Sequence, residues 1–101
     1  MIQQKQILSA FIVIAAITST AAHAYDGEKY AKDAKITLQD ARTIALKAYP
    51  GKVVEEELEH AKGGSGLRFT FDIQKDKHTP TQEVAVDAKT GAVLENMEDP
   101  D

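Results

Sequence analysis

The sharpest pattern in the chain is Leu67-Arg68-Phe69-Thr70-Phe71-Asp72-Ile73-Gln74. Leu67, Phe69, Phe71 and Ile73 share one side, and Arg68, Thr70, Asp72 and Gln74 share the other. A period of two sustained over this run predicts a half-buried antiparallel strand with one wet face. Weaker alternations flank it. Val53–His60 sets Val54 and Leu58 on one face, Gln82–Asp87 turns Val84 and Val86 inward, and Ala92–Glu95 predicts a short last strand. Gly63-Gly64-Ser65-Gly66 and Lys75–Pro80 are loop-forming, and Asp87-Ala88-Lys89-Thr90-Gly91 has the chemistry of a tight hairpin connection.

Ahead of the strands the period lengthens to that of a helix. Thr37 is placed as an N-cap with Asp40 as the acidic partner of a capping box, and Tyr49-Pro50-Gly51 is a stop signal. Leu38, Ala41, Ala45 and Ala48 form one stripe, widened by Ile44, while Arg42 and Lys47 face away. The predicted fold class is α+β. One N-terminal helix, Leu38–Tyr49, packs on one face of a three- to four-stranded antiparallel meander, and the other face meets water or a partner.

Two registers suit the first hairpin. One sets Glu57 opposite Arg68 and Leu58 opposite Leu67. The other sets Glu59 opposite Arg68 but also Glu55 opposite Asp72, and directly opposed like charges are unfavourable. The first is therefore expected. Either way Glu56 falls on the inward parity, where an unpaired carboxylate is costly. It must reach the sheet edge or be turned out by a bulge.

The first residues have a different character. Lys5 precedes an apolar run from Ile7 to Ile17, and small residues follow through Ala22-His23-Ala24. This is the layout of a cleavable signal peptide, with cleavage expected after Ala24. The run is about 11 residues, roughly 16 Å as a helix, against a bilayer core of about 30 Å. The expected organisation is thus a signal peptide at 1–24, a flexible lead-in at 25–35 with a helical turn at Glu28–Ala31, the domain at 36–95 and an acidic tail at 96–101. The exported product would be periplasmic or secreted, with no membrane attachment after cleavage.

Composition narrows the chemistry. The 101 residues include no cysteine, which removes disulfides and thiolate metal sites, and the net charge of −4 argues against nucleic acid. Ser65 has no G-x-S-x-G context, and its glycine loop lacks the lysine of a P-loop. Asp40 and Asp87 are accounted for by a helix cap and a turn. Glu55, Glu56, Glu57 and Glu59 make an acidic strand, a common protection against edge-to-edge aggregation. No catalytic residue, metal ligand or cofactor is expected. A divalent-metal site built from the acidic strand with His60 and His78 is the alternative.

The order of these segments resembles a known family. "ARTIALKAYPGKV", "EEELE", "LRFTFDI" and "EVAVDAKTGAVL" together are similar to the PepSY domain over about Ile36 to Glu95. Val86–Leu94 is the most specific part. The resemblance implies a non-enzymatic module that binds and restrains peptidases or regulates them outside the cell. The expected partner is another exported or envelope protein, such as a peptidase, with self-association through the sheet as a further route. The expected binding residues are Glu55, Glu57 and Glu59 on the acidic strand, and Arg68, Thr70 and Asp72 on the wet face of its neighbour.

Overall fold

The computed structural model describes residues 24–99. The signal-peptide reading of 1–24, apart from Ala24 itself, falls outside the described residues. A 3-10 helix, Glu28–Asp33, leads into helix α1, Leu38–Ala48. Four strands follow: β1 Lys52–His60, β2 Leu67–Gln74, β3 Gln82–Asp87 and β4 Val93–Glu98. They form one antiparallel sheet in the order β1-β2-β3-β4. The architecture is the α+β meander that the periodicities predicted, with all four strands present.

Helix α1 starts where the capping box placed it. Thr37 Oγ1 accepts the Asp40 N–H at 3.0 Å, and Asp40 Oδ2 accepts the Thr37 N–H at 3.3 Å. Two of the donors at the helix start are thereby satisfied. Ala41 and Ala45 are fully buried, and their small side chains let the helix lie close to the sheet. Ala48, expected on the same stripe, is exposed at the helix end. The helix packs across β2, β3 and β4. Phe69, Phe71, Ile73, Val84 and Val86 fill the space beneath it and are essentially inaccessible. Each contributes roughly 1.5–3 kcal/mol by burial.

The helix backbone does not pack on β1, which it touches through the Arg42 side chain, and the lead-in covers that strand instead. Residues 25–35, expected to be a flexible lead-in with a helical turn at Glu28–Ala31, carry the 3-10 helix, and that helix is ordered against β1. Tyr25 and Tyr30 join the edge of the core, and the Tyr30 ring meets His60 edge-on at 4.5 Å. Asp26 forms a parallel bridge with Glu57, and the Leu58 N–H donates to Asp26 O at 2.8 Å. Gly27 makes this approach feasible. Its φ is 85°, and a Cβ there would collide with the Leu58 carbonyl.

The first-hairpin register is the one expectation disfavoured. Leu58 lies opposite Phe69, Glu59 opposite Arg68 and Glu55 opposite Asp72. The loop decides it. The Ala61 N–H donates to Gly66 O, and the Ser65 N–H and hydroxyl are both bound by Asp87, so the loop closes around Lys62–Ser65. The register then shifts between Val53 and Glu55. This bulge turns Val53 toward the core and leaves Val54 48% exposed, the reverse of the simple alternation.

Glu56 stays on the helix side, opposite Phe71, and neither the bulge nor the sheet edge removes it. Arg42 comes to it instead of facing away. The Arg42 Nε and Nη2 donate to Glu56 Oε1 at 3.1 and 3.0 Å, and Nη2 donates to Oε2 at 2.9 Å. The guanidinium fork matches both carboxylate oxygens, which suits a side chain only 15% exposed.

At the other end, β4 runs to Glu98 and does not stop at Glu95. Part of the expected acidic tail is therefore strand. Gln82 Nε2 donates to Asn96 Oδ1 at 2.7 Å, and the Asp99 N–H donates to Thr81 O at 2.9 Å.

Candidate functional site

The sheet face away from α1 gathers the chemistry. Strand parity and the observed registers place Glu55, Glu57 and Glu59 of β1 on it, with Arg68, Thr70 and Asp72 of β2. Glu83 of β3 and Glu95 and Met97 of β4 join them. All six residues expected from sequence thus share one face. Their surroundings differ from the expectation of a simply wet surface. Thr70 is 4% exposed and donates to Glu59 Oε2 at 3.3 Å, and Ala85 beside it is fully buried. The centre of the face is shut, and its carboxylates form the accessible layer.

Arg68 does not neutralise the acids of β1. Although Glu59 is its backbone partner, its Nη1 lies 3.4 Å from Glu95 Oε1, and Nη2 donates to Lys62 O at 2.7 Å. The guanidinium is held between the Lys62 carbonyl in the β1–β2 loop and Glu95 on β4, and it ion-pairs with no carboxylate of β1. Glu55, Glu57, Asp72 and Glu83 consequently face one another across β1, β2 and β3. Carboxylate oxygens of Asp72, Glu83 and Asp99 come within 4.8 Å of one another.

The electrostatics follow from this crowding. Burial, then Asp99, Glu55 and a hydrogen bond with Glu55 push the Asp72 carboxyl up to about 6. Burial, then Glu59, Glu55, Asp26 and Asp72 raise Glu57. Glu83 is raised by burial, then by Glu95, Asp72, Asp99 and Glu59. Opposed like charges each make it harder for the other to ionise. A positive charge brought to this face would relieve that repulsion.

The histidines do not join it. His60 lies at the β1 end nearest the glycine loop, against Tyr30 on the other face. His78 is exposed in the loop after β2, at the opposite end of the sheet. The length of β2 separates them, about 25 Å at 3.3 Å per residue. No ligand set combining both histidines with the acidic strand can converge. Ser65 is also accounted for: its hydroxyl donates to Asp87 Oδ1 at 2.8 Å as a loop brace.

The family model described as "Peptidase propeptide and YPEB domain", PepSY, matches residues 35–96. The chain belongs to the PepSY family. No curated protein and no solved structure matches it. The match spans α1 and the sheet almost to the end of β4, as the resemblance implied. PepSY domains are known in peptidase propeptides and inhibitors and act there as regulatory modules. Among the described residues no helix is long and apolar enough to cross a membrane.

The PepSY frame explains why its most specific segment is structural. Asp87, only 1% exposed, accepts the N–H groups of Ser65, Lys89 and Thr90 and the Ser65 hydroxyl, at 2.6 to 3.0 Å. Burial alone would push its carboxyl up, but these donors hold it well below the usual carboxylate range. Sequence reading found Asp87 as a turn residue and missed its grip on the distant loop. It also missed Glu83, Glu95 and Asp99 as members of the acidic face. Glu83 was open to discovery, because it alternates with Val84 and therefore points outward once Val84 is buried.

Proposed function

We propose that this PepSY protein is a small exported, non-enzymatic binding module that regulates an extracytoplasmic peptidase. It acts through the acidic sheet face bearing Glu55, Glu57, Glu59, Arg68, Thr70 and Asp72. Export follows cleavage after Ala24, to the periplasm or beyond. The observation that carries this reading is the run Glu55, Glu57, Asp72 and Glu83 across β1, β2 and β3, which has no ion pair among the described residues and whose charge burial and mutual repulsion oppose. A basic patch on a protein partner is the surface that would relieve it. The family's presence in peptidase propeptides supports a peptidase as that partner.

The test is a photo-crosslinking residue placed at Glu57 in the full chain in cells, with capture and identification of what it joins. A single envelope peptidase is expected, lost when Glu57→Lys and Glu59→Lys are introduced together and weakened by salt. Capture that survives this charge reversal, or crosslinks spread over unrelated proteins, would refute the proposal.

A further inference from the structure

The meander has two edges, and the structure treats them differently. At the middle of the outer edge of β1, the chain's own Asp26 accepts the Leu58 N–H, and Gly27 packs against the Leu58 carbonyl. Among the described residues nothing pairs with the outer edge of β4. The Asp99 N–H donates inward to Thr81, so Met97 and Glu95, two and four residues earlier, also turn their main-chain groups toward β3. Asn96 and Glu98 must then point their N–H and C=O groups away from the sheet. Both residues are exposed, and Met97 between them is 51% exposed.

We infer that the β4 edge takes up an extended, lysine- or arginine-bearing segment of the partner protein as a fifth strand. This rests on the protein-binding reading above and specifies which backbone would do the binding. The charge of the edge selects the occupant. Glu98 lies on β4, Asp99 follows, Glu95 already faces Arg68, and no lysine or arginine occurs after Lys89. A second copy of the chain is a poor occupant. Pairing β4 with itself brings carboxylates opposite or diagonal to carboxylates, with no base on either strand. A strand with basic side chains on one face would instead extend the acidic sheet face while its main chain satisfied Asn96 and Glu98.

The test uses the exported chain, isotope-labelled, with a short blocked peptide alternating lysine and valine as the probe. The peptide is expected to slow amide exchange at Asn96 and Glu98 by about tenfold or more. A peptide alternating glutamate and valine is expected to have no effect. Glu98→Pro removes the outward N–H and no ladder bond to β3, a position where an edge strand tolerates proline. It is expected to weaken binding about tenfold while amide protection at Phe69 and Phe71 stays unchanged. Asn96→Pro provides a second variant should Glu98→Pro loosen the strand end. Shifts confined to Glu57, Thr70 and Asp72, and indifferent to both prolines, would overturn the edge assignment and leave the face-binding reading standing. No shift on either surface would overturn both. Protection of Asn96 and Glu98 without peptide, together with a doubled mass in sedimentation, would assign the edge to a second copy and overturn the inference.

Discussion

Replacing Asp72 with asparagine asks whether the outer face carries charge that folding resists. Asp72 lies opposite Glu55 on β1 and Glu83 on β3, with Asp99 close by. Burial and these neighbours push its carboxyl from 3.8 up to about 6. A rise of about two pKa units corresponds to about 3 kcal/mol at most. The side chain is only partly buried, and solvent screens much of that, leaving on the order of 1 kcal/mol. The sign follows from proton binding. The folded protein holds this proton more tightly than the unfolded chain, so stability is lost as pH rises from about 4 through about 6 and stays lost above. The asparagine variant cannot ionise and escapes that loss. Urea and thermal melts should therefore match the parent near pH 4 and exceed it by ~1 kcal/mol near pH 7.5, a rise in Tm of about 4–8 °C for a domain of this size. A gain of equal size at both pH values would show that the charge is not the cause. A loss near pH 7.5 would show that folding does not oppose the Asp72 charge at all.

Two further substitutions test the polar contacts that organise the fold. Arg42→Ala strands Glu56 on the helix side and should cost about 1–3 kcal/mol in denaturant melts. Glu56→Gln in the same background should recover part of that loss, and simple additivity of the two changes would refute the pairing. Asp87→Ala leaves the Ser65, Lys89 and Thr90 N–H groups without their acceptor and should cost about 2–4 kcal/mol. Because the Asp87 carboxyl is held below its ordinary range, its stabilisation is complete above about pH 4 and lost as pH falls further. The acid limb of the parent's stability profile should accordingly flatten in Asp87→Asn.

The features that sequence reading captured are those decided within a few residues. The alternation in Leu67–Gln74 is complete, so β2 matches residue for residue. Thr37 and Asp40 cap a helix through contacts three residues apart, which a single turn guarantees. The missed features depend on partners that only the tertiary fold brings together. Arg42 reaches Glu56 across fourteen positions, so a residue placed on the outside of an isolated helix became the solution to a conflict on a strand. The bulge at Val54 broke the parity rule within β1, and two adjacent valines offered no signal of which would turn inward. The extension of β4 through Asn96 and Glu98 rests on side-chain and main-chain contacts to Gln82 and Thr81, in a stretch too polar to suggest a strand.

The acidic face is itself a consequence of one of those distant contacts. Opposed carboxylates at Glu55 and Asp72 cost a few tenths of a kcal/mol or more, and local reasoning counts that against the register. Asp87 answers with several charge-assisted hydrogen bonds, two of them to Ser65 in the first hairpin loop. At about 1.5–3 kcal/mol each, they outweigh the repulsion and fix the loop at the length that sets Glu55 against Asp72. Gly64 lets the loop come this close, because a Cβ there would collide with Asp87 Oδ2. A buried turn residue at the end of β3 thus holds the carboxylates of β1 and β2 in an opposition they would not adopt alone. The stored repulsion is what a cationic partner would release, so the most structural segment of the family pattern sets the chemistry of the face that has no pattern of its own.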